Sequence, residues 1–186
     1  MKQKHSTKLG LTRRGLFKAT GAVVLGGVLA SLTSRPAVGQ GRVDVLMLTT
    51  NSSHFMFVPT GLWVEPGTVV RWIQESDFHS ATAYHPDNFG KELRIPEGAK
   101  SWDSGVLIEV GATFEHRFEV EGVYDYYCIP HEFLGMVGRI IVGEPKGGPG
   151  TKPLEQGIPP QAQSMMPSIE EIMARKVVSF PPGVVS

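Results

Sequence analysis

Three residues near the middle of the second half of the chain carry the clearest chemistry. Cys128, His131 and Met136 stand at a Cys-x2-His-x4-Met spacing. Thiolate, imidazole and thioether together select copper rather than the metals that prefer oxygen ligands. Pro130 favours a tight turn after the cysteine, and this turn would bring the histidine and the methionine back toward one point. The spacing therefore predicts a metal site with sulfur and nitrogen ligands.

A second histidine is needed to complete such a site. Two histidines and one cysteine in a plane, with a weak axial methionine, form the arrangement of copper sites that transfer electrons. We predict His79 as the missing ligand, because it follows the strand expected at residues 69–73 and a polar turn. His85, in a more irregular segment, is the alternative. His54 and His116 stand among strand residues without sulfur nearby, and we expect both at the surface.

Each of these residue types alone has an ordinary structural explanation. A single methionine usually fills a core, and a lone cysteine usually behaves as a small buried hydrophobe. Cys128 is the only cysteine of the 186 residues, which excludes an intramolecular disulfide and a CxxC site. The combination of all the ligand types at this spacing is what favours copper.

Short β-strands must position these residues. Between residues 42 and 143, short apolar runs alternate with Gly, Pro, Asn and Asp, and no stretch there has a convincing helical period. The pattern predicts strands at residues 43–48, 55–58, 62–72 with a turn at Pro66-Gly67, 106–110, 113–120, 124–128 and 137–142. Such strands in about 100 residues favour a two-sheet antiparallel sandwich. Residues 78–104 are more irregular and are expected to wrap one end of it.

The first 39 residues have the pattern of a twin-arginine export signal. Arg13-Arg14 precede Lys18 and an apolar stretch at residues 19–32, and small residues follow at positions 37–39. The apolar stretch is shorter than the roughly 20 residues that span a membrane. We therefore expect export to the periplasm or the outer cell surface, with membrane association only if the signal is not cleaved.

The charge distribution argues against nucleic acid as a partner. Residues 1–39 contain seven of the 18 basic side chains and no acidic one, so the remainder has 11 basic and 18 acidic side chains. An acidic protein without a basic stripe is a poor ligand for nucleic acid. Its surface favours basic partners or simply solubility.

The residues after the sandwich differ in composition. Gly, Pro, Lys and Gln dominate residues 144–167, which predicts a flexible or extended tail. Residues 168–173 have the pattern of a short helix, with Ser168 as its N-cap and Glu171 three residues later. The sequence thus predicts three parts: a signal at 1–39, a copper-binding domain at 42–143 and a tail at 144–186 without an assigned role.

The ligand segments resemble those of a known family. Residues 122–131 and 135–138 are similar to the copper loop of the plastocyanin, pseudoazurin and halocyanin group of cupredoxins, and residues 66–72 and 78–80 resemble the region of its first ligand. The resemblance covers roughly residues 43–142. It implies an all-β, Greek-key β-sandwich with one type 1 copper near one end, bound by the four ligands predicted above.

The resemblance also implies where electrons leave. The exposed edge of His131 would be the exit, surrounded by an apolar docking patch of Pro130, Phe133, Leu134 and Gly135. Redox protein donors and acceptors would dock near His131 and Leu134. Two features depart from the simplest members: Ser80 replaces an asparagine that braces the copper loop, and residues 84–103 are longer.

Besides a copper enzyme, three functions could use residues of these types. Copper enzymes of this fold connect their blue copper to a second centre through a histidine beside the cysteine, but Tyr127 and Ile129 flank Cys128 here. The expected function is therefore a single-electron carrier and not an enzyme. A copper chaperone or storage protein is the alternative, although Met165-Met166 is a slight methionine cluster. A module with a metal-free, degenerate site is the third.

Overall fold

The computed structural model describes residues 41–50, 54–154, 157–181 and 183. The export signal predicted at residues 1–39 lies outside the described residues and stays a prediction. Within the part of the chain that is described, no helix is long and apolar enough to cross a membrane.

Two β-sheets form the body of the protein. Their strand orders are β2-β1-β4-β6 and β5-β7-β8-β3-β9. The strands are β1 Arg42–Thr49, β2 Phe55–Val58, β3 Gly61–Val64, β4 Thr68–Gln74, β5 Thr82–Ala83, β6 Thr113–Phe118, β7 Gly122–Tyr127, β8 Val137–Val142 and β9 Val177–Val178. The predicted all-β sandwich is confirmed.

The expectation that the sheets are purely antiparallel was wrong. Strand β1 pairs with β4, and β3 pairs with β8, in parallel. The turn at Pro66-Gly67 carries the chain from one sheet to the other, so β4 aligns with β1 rather than with β3. Local turn residues identify a reversal, but they do not say which sheet the next strand joins.

The core lies between the sheets and explains the period-two patterns. Residues along β4 alternate between buried and half-buried positions. On β7, Tyr124 and Tyr126 face the core, and Cys128 directly after the strand continues the same face. This alternation sets the thiol at the end of a buried strand, where the neighbouring loops can meet it.

The strand predicted at residues 106–110 does not form. Leu107 makes only an isolated bridge with His79, and Leu107 packs against the core. The side chains of Val106, Ile108 and Val110 are 45%, 70% and 72% exposed. Apart from Leu107, the apolar run therefore contributes surface rather than core.

The described residues after Gly143 pack on the outer face of the second sheet. Helix α1 spans Pro160–Met165 and helix α2 spans Ile169–Arg175, and β9 pairs with β3. The side chain of Ser168 accepts a hydrogen bond from the Glu171 N–H (3.0 Å), as the capping pattern predicts. The tail that sequence predicted as flexible or extended is therefore packed onto the sheet. Its apolar side chains, among them Ile158, Ala162, Ile172 and Val178, are buried.

A buried ion triad fastens this segment to the sheet. The fully buried Asp125 on β7 accepts from Arg94 Nε (2.8 Å) and from Arg139 Nε (2.7 Å) and Nη2 (3.0 Å). The remaining N–H groups of the arginines donate to backbone carbonyls of the C-terminal segment, those of Gly150, Lys152, Pro153 and Pro167. One carboxylate therefore organises the donors that hold the segment.

Replacing Asp125 with Asn tests this triad. We expect the free energy of unfolding to fall by about 3–5 kcal/mol, because two buried arginines lose their counter-charge. Guanidinium titration of the full chain measures the change. The matched control is Asp44→Asn at the exposed pair with Arg71, which should cost about 1 kcal/mol or less. A loss at Asp125 no larger than that at Asp44 would contradict the role of the triad.

Candidate metal centre

His79, Cys128 and His131 meet at one end of the sandwich. The two Nδ1 atoms are 3.2 Å apart, and the Cys128 Sγ lies 3.8 Å from Nδ1 of His79 and 3.5 Å from Nδ1 of His131. All three residues are buried, although they come from positions up to 52 residues apart. The structure thus brings together three of the four predicted ligands.

The spacing of these three atoms fits a metal ion. A point equidistant from them lies about 2.0 Å from each, close to the roughly 2.0–2.3 Å at which imidazole and thiolate bind a divalent first-row metal ion. Burial raises the pKa of the Cys128 thiol to about 11. A thiolate at neutral pH therefore requires a nearby positive charge, which a bound cation provides.

Backbone hydrogen bonds place Met136 beside the cluster. It is fully buried, its N–H donates to the His131 carbonyl (3.1 Å), and its own carbonyl accepts from the Cys128 N–H (3.0 Å). A 3-10 turn at Glu132–Leu134 ends at Gly135, whose φ of +91° is left-handed. Such a conformation favours glycine, so the tight return of the loop depends on the residue before Met136.

Ser80 connects the first-ligand region to the cysteine. Its N–H donates to the Cys128 Sγ (3.4 Å), and its hydroxyl accepts from the Ile129 N–H (2.8 Å). The Ser80 hydroxyl also lies 3.1 Å from that of Thr82, which donates to Asp103 (2.8 Å). The serine that departs from the family pattern therefore still braces the ligand loop, supported by a chain of polar groups.

The orientation of His79 is set by a hydroxyl and a carboxylate. Its Nε2 lies 3.3 Å from Thr49 Oγ1, which in turn donates to Asp77 (3.3 Å). If the histidine donates from Nε2, its Nδ1 is left as an acceptor that faces the cluster. Burial lowers the pKa of His79 to about 4, so the ring is neutral at physiological pH and available as a ligand.

His131 is held between aromatic rings near the surface. Phe55 stacks on it with centroids 4.0 Å apart, and the Phe78 ring lies at 5.2 Å. Burial also lowers the pKa of His131. Phe133 and Leu134, next along the chain, are 75% and 56% exposed. The second histidine thus adjoins an exposed apolar surface.

The other histidines of the described chain lie outside this cluster. His85, the alternative first ligand, pairs with the exposed Asp87 at 3.3 Å. His54 is exposed, as expected. His116 is half-buried, in agreement with a partly exposed position; it stacks on Trp102 at 4.8 Å, and burial lowers its pKa to about 4.

The sequence reasoning missed three residues around the ligands. Thr49 and Asp77 orient His79, and Phe55 packs on His131. Asp77 belongs to the polar turn before His79, which is a local signal for a supporting role. Thr49 and Phe55 gave no signal, because their positions depend on where β1 ends and β2 begins and on the pairing of β1 with β4.

Comparison with known proteins agrees with this geometry. The family model for copper binding proteins of the plastocyanin/azurin family matches residues 44–143. Halocyanin from Natronomonas pharaonis is 34% identical over 103 residues, which cover 55% of this chain and only 58% of that protein. Plastocyanin B from Populus nigra is 27% identical over 132 residues, covering 71% and 76%.

Solved structures give the same result. A pseudoazurin from Sinorhizobium meliloti matches with a TM-score of 0.54 and 25% identity, covering 72% of this chain and 94% of that one. A pseudoazurin from Methylobacterium extorquens AM1, at 21% identity and a TM-score of 0.53, shares the fold. This chain therefore belongs to the plastocyanin/azurin family of copper-binding proteins, the cupredoxins, and its cofactor is copper.

Proposed function

We propose that this protein is a blue copper electron carrier in which His79, Cys128, His131 and Met136 are the ligands of one type 1 copper. The observation that carries the proposal is the cluster of one thiol and two imidazole nitrogens within 4.8 Å, beside a buried methionine. Two histidines and a cysteine with a weak methionine ligand are typical of electron-transfer copper sites. The bound ion would supply a one-electron couple between Cu(I) and Cu(II).

The way the ligands are held supports a carrier rather than a chaperone or storage protein. Cys128 and Met136 are fully buried, and hydrogen bonds from Ser80 and to Thr49 fix the surroundings of the cysteine and of His79. A fixed ligand set keeps the rearrangement between two oxidation states small. Rapid release of an ion would instead require accessible ligands, so we propose a carrier and not a chaperone or storage protein. Since Tyr127 and Ile129, and no histidine, flank Cys128, we also propose a carrier rather than an enzyme with a second copper centre.

The exposed apolar residues around His131 support a docking surface for redox partners. We define this docking surface as Phe78, Ile108, Phe133 and Leu134, which are 44–75% exposed. The bridge between His79 and Leu107 makes Phe78 and Ile108 neighbours across it, so the surface extends beyond the loop expected from sequence. Of the patch predicted from sequence, Phe133 and Leu134 are exposed and Pro130 is half-buried, but Gly135 is buried beneath helix α1 and does not contribute to the surface. A redox donor and an acceptor would each meet the His131 edge here, at a short distance from the ligand thiol.

The proposed location follows from the first 39 residues alone. Their twin-arginine pattern supports export of the carrier to the periplasm or the outer cell surface. The acidic remainder of the chain supports partners with a basic surface.

The ligand set is tested by absorption spectra after one equivalent of Cu(II). The wild type should show an intense thiolate charge-transfer band that ascorbate bleaches. Cys128→Ser should abolish this band, and His79→Ala should weaken or shift it strongly. His85→Ala is the matched control and should leave the spectrum unchanged. Full colour in Cys128→Ser would refute the assignment, and an effect at His85 without one at His79 would exchange the two histidines.

The docking surface is tested by electron self-exchange between oxidised and reduced copies, measured by NMR line broadening. Leu134→Asp should slow self-exchange by about tenfold or more, because it places a charge at the centre of the contact. Val177→Asp, at a residue that is also exposed (45%) but lies on β9, is the control and should change the rate little. Equal rates for the two variants would exclude the docking surface from electron exchange.

The charge of Asp77 should influence the redox equilibrium. Its carboxylate acts to raise the pKa values of His79, Cys128 and His131, although burial has the larger effect at each. The same negative charge favours the more positive Cu(II) state. Asp77→Asn should therefore raise the Cu(I)/Cu(II) ratio at a fixed applied potential by about twofold or more, and less at high salt.

Asn suits this test because it tolerates the left-handed conformation of residue 77 (φ +64°). The control is Asp87→Asn, which removes another exposed charge, beside His85. An unchanged ratio in Asp77→Asn, measured by spectroelectrochemistry, would contradict the effect of this charge.

A further inference from the structure

We propose that the C-terminal segment, residues 144–154 and 157–181, is a positioning element for the ligand loop, residues 128–136, and acts through helix α1. The inference deepens the proposed function, since the loop carries three of the proposed copper ligands. It assigns a role to a part of the described chain whose role was not apparent from sequence.

Helix α1 lies directly on the loop at Gly135. A Cβ atom at that position would come within 2.8 Å of Met165 Cγ and 3.1 Å of Gln161 Cγ. A larger residue there would require the side chains of Met165 and Gln161 to move, and the positive φ of Gly135 (+91°) would strain it in addition. Gly135 immediately precedes Met136, so α1 covers the backbone that delivers the proposed axial ligand to the site.

The same segment packs against both ends of the loop. Tyr127 precedes Cys128 and Val137 follows Met136, and both belong to one buried cluster with side chains of the segment. Those side chains are Ile158, Ala162 and Met166, with Leu154 and Met165 at the edge. The C-terminal segment therefore packs against the residues that flank the loop on both sides, and α1 covers the loop itself at Gly135.

A buried carboxylate links this cluster to the middle of the loop. Tyr84, whose ring packs on Tyr127 at 4.6 Å, donates to the carboxylate of Glu132 at 2.8 Å. Glu132 follows His131 and is 2% exposed, and it also pairs with Lys91. Displacing α1 would expose Tyr84 and Tyr127 and weaken the environment that holds Glu132 in place.

The segment is anchored on both sides of α1. Before the helix, Arg94 donates to the carbonyls of residues 150, 152 and 153, and after it Arg139 donates to that of Pro167. Both arginines bind Asp125, three residues before Cys128 on the same stretch of chain. Helix α1 is therefore fixed relative to the strand that carries the cysteine, and a movement of α1 away from the loop would disturb a buried ion triad.

A positioning role has two measurable consequences. Loosening α1 should increase local opening of the loop, which exposes its amides to hydrogen exchange. It should also raise the polarity around the loop, and a more polar surrounding stabilises the more highly charged Cu(II) state. If α1 only stabilised the fold, loosening it would lower the free energy of unfolding. It would then cause no loop-specific increase in hydrogen exchange and no change in the redox equilibrium.

Two methionines of the segment provide a matched pair of variants. Met165 in α1 and Met173 in α2 are both half-buried, but Met165 packs against the loop and Met173 against the cluster that contains Val123 and Ile141. In the full chain, Met165→Ala should speed amide exchange at residues 134–137 about tenfold. It should also shift the Cu(I)/Cu(II) ratio at fixed potential about threefold toward Cu(II). Met165→Leu, which keeps a large apolar side chain, should have the exchange rate and the redox ratio of the wild type.

Met173→Ala is the control. It should leave loop exchange and the redox ratio unchanged, even if it lowers the free energy of unfolding by as much as Met165→Ala does. Equal effects of the two alanine variants on loop exchange, or no effect of Met165→Ala, would overturn the positioning role. Exchange is measured on the metal-free chain as well as the copper form. A wild type without a thiolate band would therefore refute the proposed copper ligands while the contact of α1 with the loop is still tested.

Discussion

Burial of strand β7 on both faces is the constraint on which the rest of the structure depends. Its inner face continues into Cys128 at the end of the core, and its outer face carries the buried charge of Asp125. A buried carboxylate is tolerable only when it is fully paired, so Arg94 and Arg139 must both reach it. Because their remaining donors bind the C-terminal segment, the need to satisfy one charge also determines how the outer face is covered.

The inner face imposes the complementary requirement on the metal centre. A buried thiol resists ionisation, so Cys128 becomes a useful thiolate only with a cation beside it. The surrounding groups are arranged for this: the Ser80 N–H points at the sulfur, and the neutral imidazoles of His79 and His131 face it. Donors held by hydrogen bonds around a buried sulfur suit an ion that changes its oxidation state without changing its position.

The sequence by itself determined the features that depend on neighbours along the chain. The spacing of Cys128, His131 and Met136 predicted a loop that brings three proposed ligands together, because the strand end and the tight turn lie within the same short stretch. Period-two patterns located most of the strands for the same reason. The helix cap at Ser168 was also readable, since its hydrogen bond spans only three residues.

Only the tertiary structure decided the contacts between distant segments. His79 could be preferred over His85 from sequence, but the meeting of its ring with His131 depends on the packing of two sheets. The positions of Thr49 and Phe55, and the exposure of the apolar residues at 106–110, have the same origin. The Gly- and Pro-rich composition after residue 143 predicted flexibility because composition reports local preference. The anchors of that segment are instead the side chains of Arg94 and Arg139, which stand 28 to 59 residues from the carbonyls that they bind.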